Sequence, residues 1–200
     1  MNPDKLYLAI YHDEEGKKSR ISITNYLNLI AEKDKVEISK FIYNRLYSRY
    51  IKPFSFDDEN FKSQFINGFS IMANSCLLIE TLESFKQGFG DTNGKSEKMF
   101  VDFFNSEANF EVLKTHAKNF YKNIRCGILH QGETTGGWIL VKRAEKLFES
   151  EKLKINPILF MEQLKVSLEG YKEKLQNEEW DSATWDNFRS KMRKIISNCE

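Results

Sequence analysis

Apolar side chains recur at helical spacing over residues 58–87. Steps of three and four residues place these side chains on one face of an α-helix. The face consists of Phe61, Phe65, Phe69, Met72, Cys76 and Ile79. Asp57 or Asp58 is suited to cap the start of this helix, and Gly88 to end it. The pattern therefore predicts one long helix of roughly 45 Å.

A second stretch with the same spacing ends near His130. Its apolar residues are Phe110, Leu113, Ala117, Phe120, Ile124 and Ile128. Three glycines follow, at positions 132, 136 and 137, and glycine disfavours helix continuation. We expect the two long helices to be antiparallel and to form the centre of the fold. The connection over residues 90–107 contains a shorter predicted helix at 96–104.

The remaining elements are shorter. Alternating residues around a polar turn predict a β-hairpin from strands at 6–11 and 20–23. Asp34 and Glu37 resemble a capping box at the start of a helix. Helices are predicted at residues 25–30, 34–50, 158–175 with an interruption at Gly170, and 182–197. Short β stretches are predicted at residues 138–142 and 152–155.

These elements predict a mainly α single domain over residues 1–200. The hairpin forms an N-terminal appendage at 1–23, and the two long helices form a core at 58–130. Short β pieces and C-terminal helices occupy 138–200. We find no repeat, low-complexity tract or linker that divides the chain.

Composition limits the classes of function. The chain has 30 basic and 29 acidic residues and a formal charge of +1, so any phosphate site must be local rather than a product of bulk charge. Its three cysteines are odd in number and widely spaced, which disfavours a disulfide framework and a zinc site. We therefore expect no metal and no cofactor.

The N-terminus lacks the layout of a signal peptide, a charged segment followed by an apolar one. No uninterrupted apolar run approaches the ~18 residues that a transmembrane helix needs. We expect a cytoplasmic protein that does not associate with membranes.

Arg125 and His130 are the main candidates for chemistry. They lie near the end of the second long helix, just before the glycine-rich loop. Arginine carries a permanent charge and a fork of donors that suits phosphate, and histidine exchanges a proton near neutral pH. Together they provide what metal-free RNA cleavage requires. Residues five apart on a regular helix point about 140° from each other, so convergence needs a frayed helix end or a second protomer.

Two carboxylates lie on the facing helix. Glu83 shares the apolar face of that helix, where a carboxylate needs a partner, and Arg125 is suited to be that partner. Glu80 lies close beside it. Glu80, Asn123 and Gln131 are the candidates for substrate contacts.

Each of these residues also has a purely structural interpretation. Arg125 and Glu83 are also consistent with a structural ion pair, and His130 with a residue favoured by the negative end of the helix dipole. A flexible connection is the favoured interpretation of the loop at 132–137. A buried thiol is favoured for Cys126 over a nucleophile, because no base stands at a recognisable spacing from it.

The segment Arg125-Cys126-Gly127-Ile128-Leu129-His130 resembles the Arg-x4-6-His motif of HEPN domains. These are small helical domains of bacterial toxins, CRISPR-associated nucleases and other defence proteins. Many of them cleave RNA without metal, as dimers that bring two motifs into one cleft. The resemblance covers residues 58–130 and implies that Arg125 and His130 are site residues. It also implies an upstream acidic residue at the site, which is Glu83 or Glu80 here.

Two functions follow from the resemblance. The first is a metal-independent endoribonuclease that leaves 2′,3′-cyclic phosphate ends, as a homodimeric toxin or anti-phage defence component with an antitoxin partner. The second is a non-catalytic HEPN-like module that binds RNA, a nucleotide or a protein as a dimer. The near-zero net charge favours the second function, as does Cys126 at a position where active members usually carry a polar residue.

Overall fold

A computed structural model describes residues 3–12, 16–55 and 67–199. The fold is mainly α with small β elements, as predicted. The helices are α1 (Ile23–Glu32), α2 (Lys35–Tyr50), α3 (Gly68–Lys86), α4 (Ser96–Ser106), α5 (residues 117–131), α6 (Pro157–Asn177) and α7 (Ala183–Ser197). The strands are β1 (Tyr7–His12), β2 (Lys18–Ser22), β3 (Ile139–Leu140), β4 (Phe148–Glu149) and β5 (Lys154–Ile155). The 3₁₀ segments are Pro3–Lys5, Lys52–Phe54, Ala108–His116 and Ser150–Lys152.

The N-terminal hairpin is confirmed as the antiparallel pair β1 and β2. The centre of its predicted turn, residues 13–15, lies outside the described residues. A capping box follows directly: Asn25 N–H donates to Ser22 Oγ at 3.1 Å, and Ser22 N–H donates to Asn25 Oδ1 at 3.0 Å. This box starts α1 at Ile23, two residues before the predicted start, because the cap satisfies helix-end donors.

The predicted cap of α2 is present at Asp34, whose carboxylate accepts the N–H of Glu37 at 3.0 Å. The prediction for α3 is wrong at its start. Asn67 lies outside the helix, and its carbonyl accepts the N–H of Ile71 at 2.9 Å. Helix α3 therefore begins at Gly68 instead of running on continuously from residue 58, and among the described residues the buried Asn67 Oδ1 has no hydrogen-bond partner that would cap it. Residues 58–66, with Phe61 and Phe65, lie outside the described part of the chain.

The C-terminal part follows the predicted order with two differences. Helix α6 continues through Gly170 without the predicted interruption. The small sheet has the order β3-β5-β4, with β3 parallel and β4 antiparallel to β5. Strand β4 was not predicted, since two residues are too few to show a period. The predicted strands at 138–142 and 152–155 are shorter, at two residues each.

The chain divides into two compact units. The first consists of the described residues of Met1–Arg49, Ser84–Asp91 and Leu168–Glu200, and the second of those of Tyr50–Glu83 and Thr92–Ser167. In the first unit, Phe188 packs against Phe85 with ring centroids 5.7 Å apart. This division does not decide whether residues 1–200 form the predicted single domain, which stays a prediction.

The second unit has an aromatic core that holds α5 in place. Phe120 of α5 lies 5.0 Å from Phe104 of α4 and 5.3 Å from Phe160 of α6, measured between ring centroids. All three rings are fully buried, and burial of large aromatic side chains is a major stabilising contribution. The packing of Phe120 therefore fixes the position of α5 at the point where the rest of the helix begins.

Candidate functional site

Helix α5 is not the regular helix that the sequence predicted over 110–130. Residues Ala108–His116 form a 3₁₀ segment, and Phe110 there departs from helical geometry with φ −114° and ψ 16°. Within α5, Tyr121–Arg125 is a π-helical turn in which the Cys126 N–H donates to the Tyr121 carbonyl. A π turn inside an α-helix is rare and frequently marks a functional site.

Arg125 and His130 converge within one chain. Arg125 Nη1 lies 3.2 Å from His130 Nε2, although a regular helix separates such positions by about 140°. The long arginine side chain spans this angle at the helix end, where Gly132 ends α5 with φ 73°. Because a guanidinium only donates, the imidazole Nε2 accepts this hydrogen bond. A partner protomer is therefore not needed for the two groups to meet.

The carboxylate that holds Arg125 is Glu80, whereas the sequence favoured Glu83. Glu80 Oε1 accepts from Arg125 Nε at 2.7 Å, and Glu80 Oε2 accepts from Ser96 Oγ at 3.3 Å. The Arg125 and Glu80 side chains are 17% and 12% exposed, whereas Glu83 is 2% exposed, within the core. Burial opposes the charge on Arg125, but the hydrogen bond and attraction of Glu80 outweigh it and raise the pKa of the guanidinium.

Tyr121 belongs to the same cluster, and sequence reasoning missed it. The Arg125 guanidinium carbon lies 5.6 Å from the centroid of its ring, within range of a cation–π contact. Burial and a hydrogen bond with Cys126 raise the pKa of the Tyr121 hydroxyl. The available signal was the spacing of four between an aromatic residue and an arginine on one helix.

Cys126 is half-buried rather than buried as predicted. Its thiol contributes to the raised pKa of the Arg125 guanidinium and of the Tyr121 hydroxyl. Cys126 therefore belongs to this cluster, and is not simply a core residue.

The two other predicted substrate contacts are in different surroundings. Gln131 is exposed at the end of α5. Asn123 lies in the π turn, where its side-chain oxygen accepts from Thr135 Oγ1 at 2.9 Å. The loop that contains Thr135 is thus attached to α5, whereas the sequence favoured a flexible connection.

No group of three or more His, Cys, Asp or Glu residues in the described part of the chain is arranged to hold a metal ion. Arg125, Glu80, His130, Tyr121 and Cys126 form a metal-free cluster with one permanent cation, one carboxylate and one imidazole. Such a set can hold an oxyanion and exchange a proton next to it. The expectation that no cofactor is needed stays a prediction.

No protein-family model, curated protein or solved structure shows a significant match to the chain. Within the described ranges, none of the helices combines the length and the apolar character that a membrane crossing requires.

Proposed function

We propose that this chain is a metal-independent endoribonuclease of HEPN type that leaves 2′,3′-cyclic phosphate ends. The observation that carries the proposal is the hydrogen bond of 3.2 Å between Arg125 Nη1 and His130 Nε2. It puts a phosphate-binding cation and a proton acceptor next to each other, with His130 exposed. RNA cleavage through the ribose 2′-hydroxyl needs both groups at one phosphate.

Each residue then has a defined role. A guanidinium has five N–H donors, so the hydrogen bonds to Glu80 and His130 among the described residues leave donors for a phosphate oxygen. Glu80 fixes the guanidinium in place through Nε. When a phosphate oxygen replaces His130 as the acceptor of the Arg125 Nη1 donor, the lone pair of His130 Nε2 becomes available to accept the proton of the 2′-hydroxyl. A general base of this kind contributes about 100- to 10,000-fold in rate.

The test is cleavage of RNA in EDTA by the wild-type protein, Arg125→Ala and His130→Ala. We expect cleavage by the wild type, with products that carry cyclic phosphate ends, and a loss of at least about 100-fold in each variant. Glu111→Gln, at an exposed position of the second unit, serves as the control and should cleave normally. Equal activity of all four proteins would remove Arg125 and His130 from the mechanism.

The biological setting belongs to the same proposal. We propose a homodimer that acts as a toxin or anti-phage defence component and is restrained by an antitoxin protein. Light scattering at micromolar concentration is expected to give twice the mass of 23.5 kDa, and a monomer at that concentration would contradict the dimer. The cytoplasmic location stays a prediction.

A second function has its own support in the cluster. In this geometry the guanidinium is bound by Glu80 and His130 at once, which resembles a structural network as well as a catalytic one. A non-catalytic HEPN-like module would bind RNA, a nucleotide or a partner protein without turnover. A gel-shift assay run beside the cleavage assay separates the two, because binding without cleavage identifies the module.

A further inference from the structure

Asn123 connects α5 to the loop at 132–137 through both its backbone and its side chain. Its carbonyl accepts the N–H of Thr135 at 3.0 Å, and its Oδ1 accepts Thr135 Oγ1 at 2.9 Å. Its Nδ2 donates to the carbonyl of Asn119 at 3.0 Å. Both polar atoms of its side chain thus have a partner within the protein, which fits a residue that anchors the loop on α5.

Two glycines let the loop lie directly on the helix. A Cβ at Gly136, where φ is +61°, would lie 2.5 Å from Asn123 Oδ1. A Cβ at Gly127 would lie 2.5 Å from the carbonyl oxygen of Glu133. A Cβ at either position would force its neighbours to shift, so the two glycines permit a close approach at both ends of the helical segment between Asn123 and Gly127.

The far end of the loop is anchored in the core. Thr134 Oγ1 donates to the carbonyl of Trp138 at 2.5 Å, and the Trp138 N–H donates to the carbonyl of Thr135 at 3.1 Å. Trp138 is buried, and its ring stacks on Phe148 with centroids 5.2 Å apart. Residues 132–138 therefore have fixed contacts at Asn123, at Gly127 and at the core.

His130 depends on this loop for its position. Among the described residues, Arg125 provides the one polar contact of the exposed imidazole, so the backbone of the last turn of α5 determines where the ring lies. That turn is held by the loop, because the Glu133 N–H donates to the Gly127 carbonyl at 3.4 Å and the Gly132 N–H to the Ile128 carbonyl at 3.2 Å.

We propose that Asn123 is a positioning residue for His130 and not a substrate contact. It anchors the glycine-rich loop on the π turn, and the loop fixes the helix end that carries the imidazole. The effect on cleavage rests on the proposed function, whereas the effect on the position of His130 does not. A displacement of about 1 Å from the productive geometry can lower a rate 100-fold.

Substitution by aspartate distinguishes positioning from substrate contact. Asn123→Asp keeps an oxygen that accepts from Thr135 and loses only the Nδ2 donor to the Asn119 carbonyl, which lies within α5. It also adds a negative charge that would repel RNA phosphate at a contact site. Asn119→Asp adds the same charge one turn earlier at an exposed position and is the matched control. Asn123→Ala and Thr135→Val each remove the side-chain hydrogen bond between Asn123 and Thr135.

The experiment measures kcat and KM for RNA cleavage, RNA affinity, and the imidazole NMR signal of His130, assigned with His130→Asn. We expect Asn123→Ala and Thr135→Val to shift that signal and to lower kcat about 10- to 100-fold with KM nearly unchanged. The double variant should lose no more than either single variant. Asn123→Asp should match Asn119→Asp in all three measurements.

Two results would overturn the proposal. One is an unchanged His130 signal in both Asn123→Ala and Thr135→Val. The other is RNA affinity at least tenfold weaker in Asn123→Asp than in Asn119→Asp. Should Asn123→Ala fail to fold, Thr135→Val decides the question. Absence of cleavage by the wild type would count against the proposed function, while the NMR signal still tests the position of His130.

Discussion

At the residue scale, the Arg125 guanidinium is a fork of donors that makes two hydrogen bonds, from Nε to Glu80 and from Nη1 to His130. Lysine carries the same charge but has no such fork. We expect Arg125→Lys to keep much of the RNA affinity and to lose cleavage by at least about tenfold, because an ammonium on a flexible stem lacks the rigid, planar spread of donors that holds both contacts in place. Affinity and single-turnover cleavage are measured together, with Lys122→Arg at an exposed neighbouring position as the control. Wild-type cleavage by Arg125→Lys would mean that charge alone is sufficient.

The sequence predicts Arg125 and His130 as candidates but ranks the two carboxylates wrongly, for a physical reason. Relative to Cys76, Glu83 lies about 20° away around a regular helix and Glu80 about 40° away. Both positions are consistent with one broad apolar face, yet Glu83 is near its buried centre and Glu80 is near its edge. An arginine pair is more readily formed at the edge, where it remains partly hydrated. Periodicity alone does not resolve a difference of this size.

At the element scale, the sequence predicts which segments are helical better than it predicts the type of helix. Spacings of three and four between apolar residues are compatible with 3₁₀ and α geometry alike. The apolar residues Phe110, Leu113, Ala117 and Phe120 therefore do not show that the helix changes from 3₁₀ to α geometry at Ala117. The π turn was equally hidden, because the spacing of the apolar residues does not reveal it; the loop is hydrogen-bonded to Asn123 within this turn. The starts of α2 and α7 were predicted within one residue. Asp34 caps α2 through its side chain, whereas Ser182 lies at the N-cap position of α7 without a side-chain hydrogen bond among the described residues.

Gly127 and Gly170 offer a matched comparison between two helical glycines. A Cβ at Gly127 meets the Glu133 carbonyl at 2.5 Å, whereas a Cβ at Gly170 meets nothing within 4 Å. We expect Gly127→Ala to lower the free energy of unfolding by about 1–3 kcal/mol through overpacking. Gly170→Ala should raise it by about 0.5–1 kcal/mol, because alanine favours helix. Urea unfolding monitored by circular dichroism measures both changes, and equal stabilities would contradict the observed approach of the loop.

At the scale of the whole molecule, the division into two units was not predicted. Each unit is assembled from stretches that are far apart in the chain, and helices α3 and α6 contribute residues to both. A boundary of this kind leaves no linker or change of composition, which are the usual sequence signals of a domain boundary. Contacts between distant segments determine it, and a single sequence contains no direct record of those contacts.

The buried thiol of Cys76 makes the stability of the folded chain depend on pH. Burial raises the pKa of this thiol from its ordinary value of 9.0, so above about pH 9 the unfolded chain releases a proton that the folded chain retains. The free energy of unfolding should therefore fall as pH rises through this range, by at most about 1.4 kcal/mol per pH unit for one group. Below pH 8 both states keep the proton, and this contribution is constant.

Urea unfolding in reducing buffer between pH 8 and pH 10 measures this slope. Cys76→Ala removes the titrating group, so its stability should change less with pH than that of the wild type, even though the smaller side chain lowers stability at every pH. Cys199→Ala, at a half-buried position, is the control and should keep the wild-type slope. Burial also raises the pKa of Tyr26 from its ordinary value of 10.0, so the comparison stops at pH 10. Parallel pH profiles for the wild type and Cys76→Ala would mean that the thiol at position 76 ionises in the folded chain, and hence that this part of α3 is open to solvent.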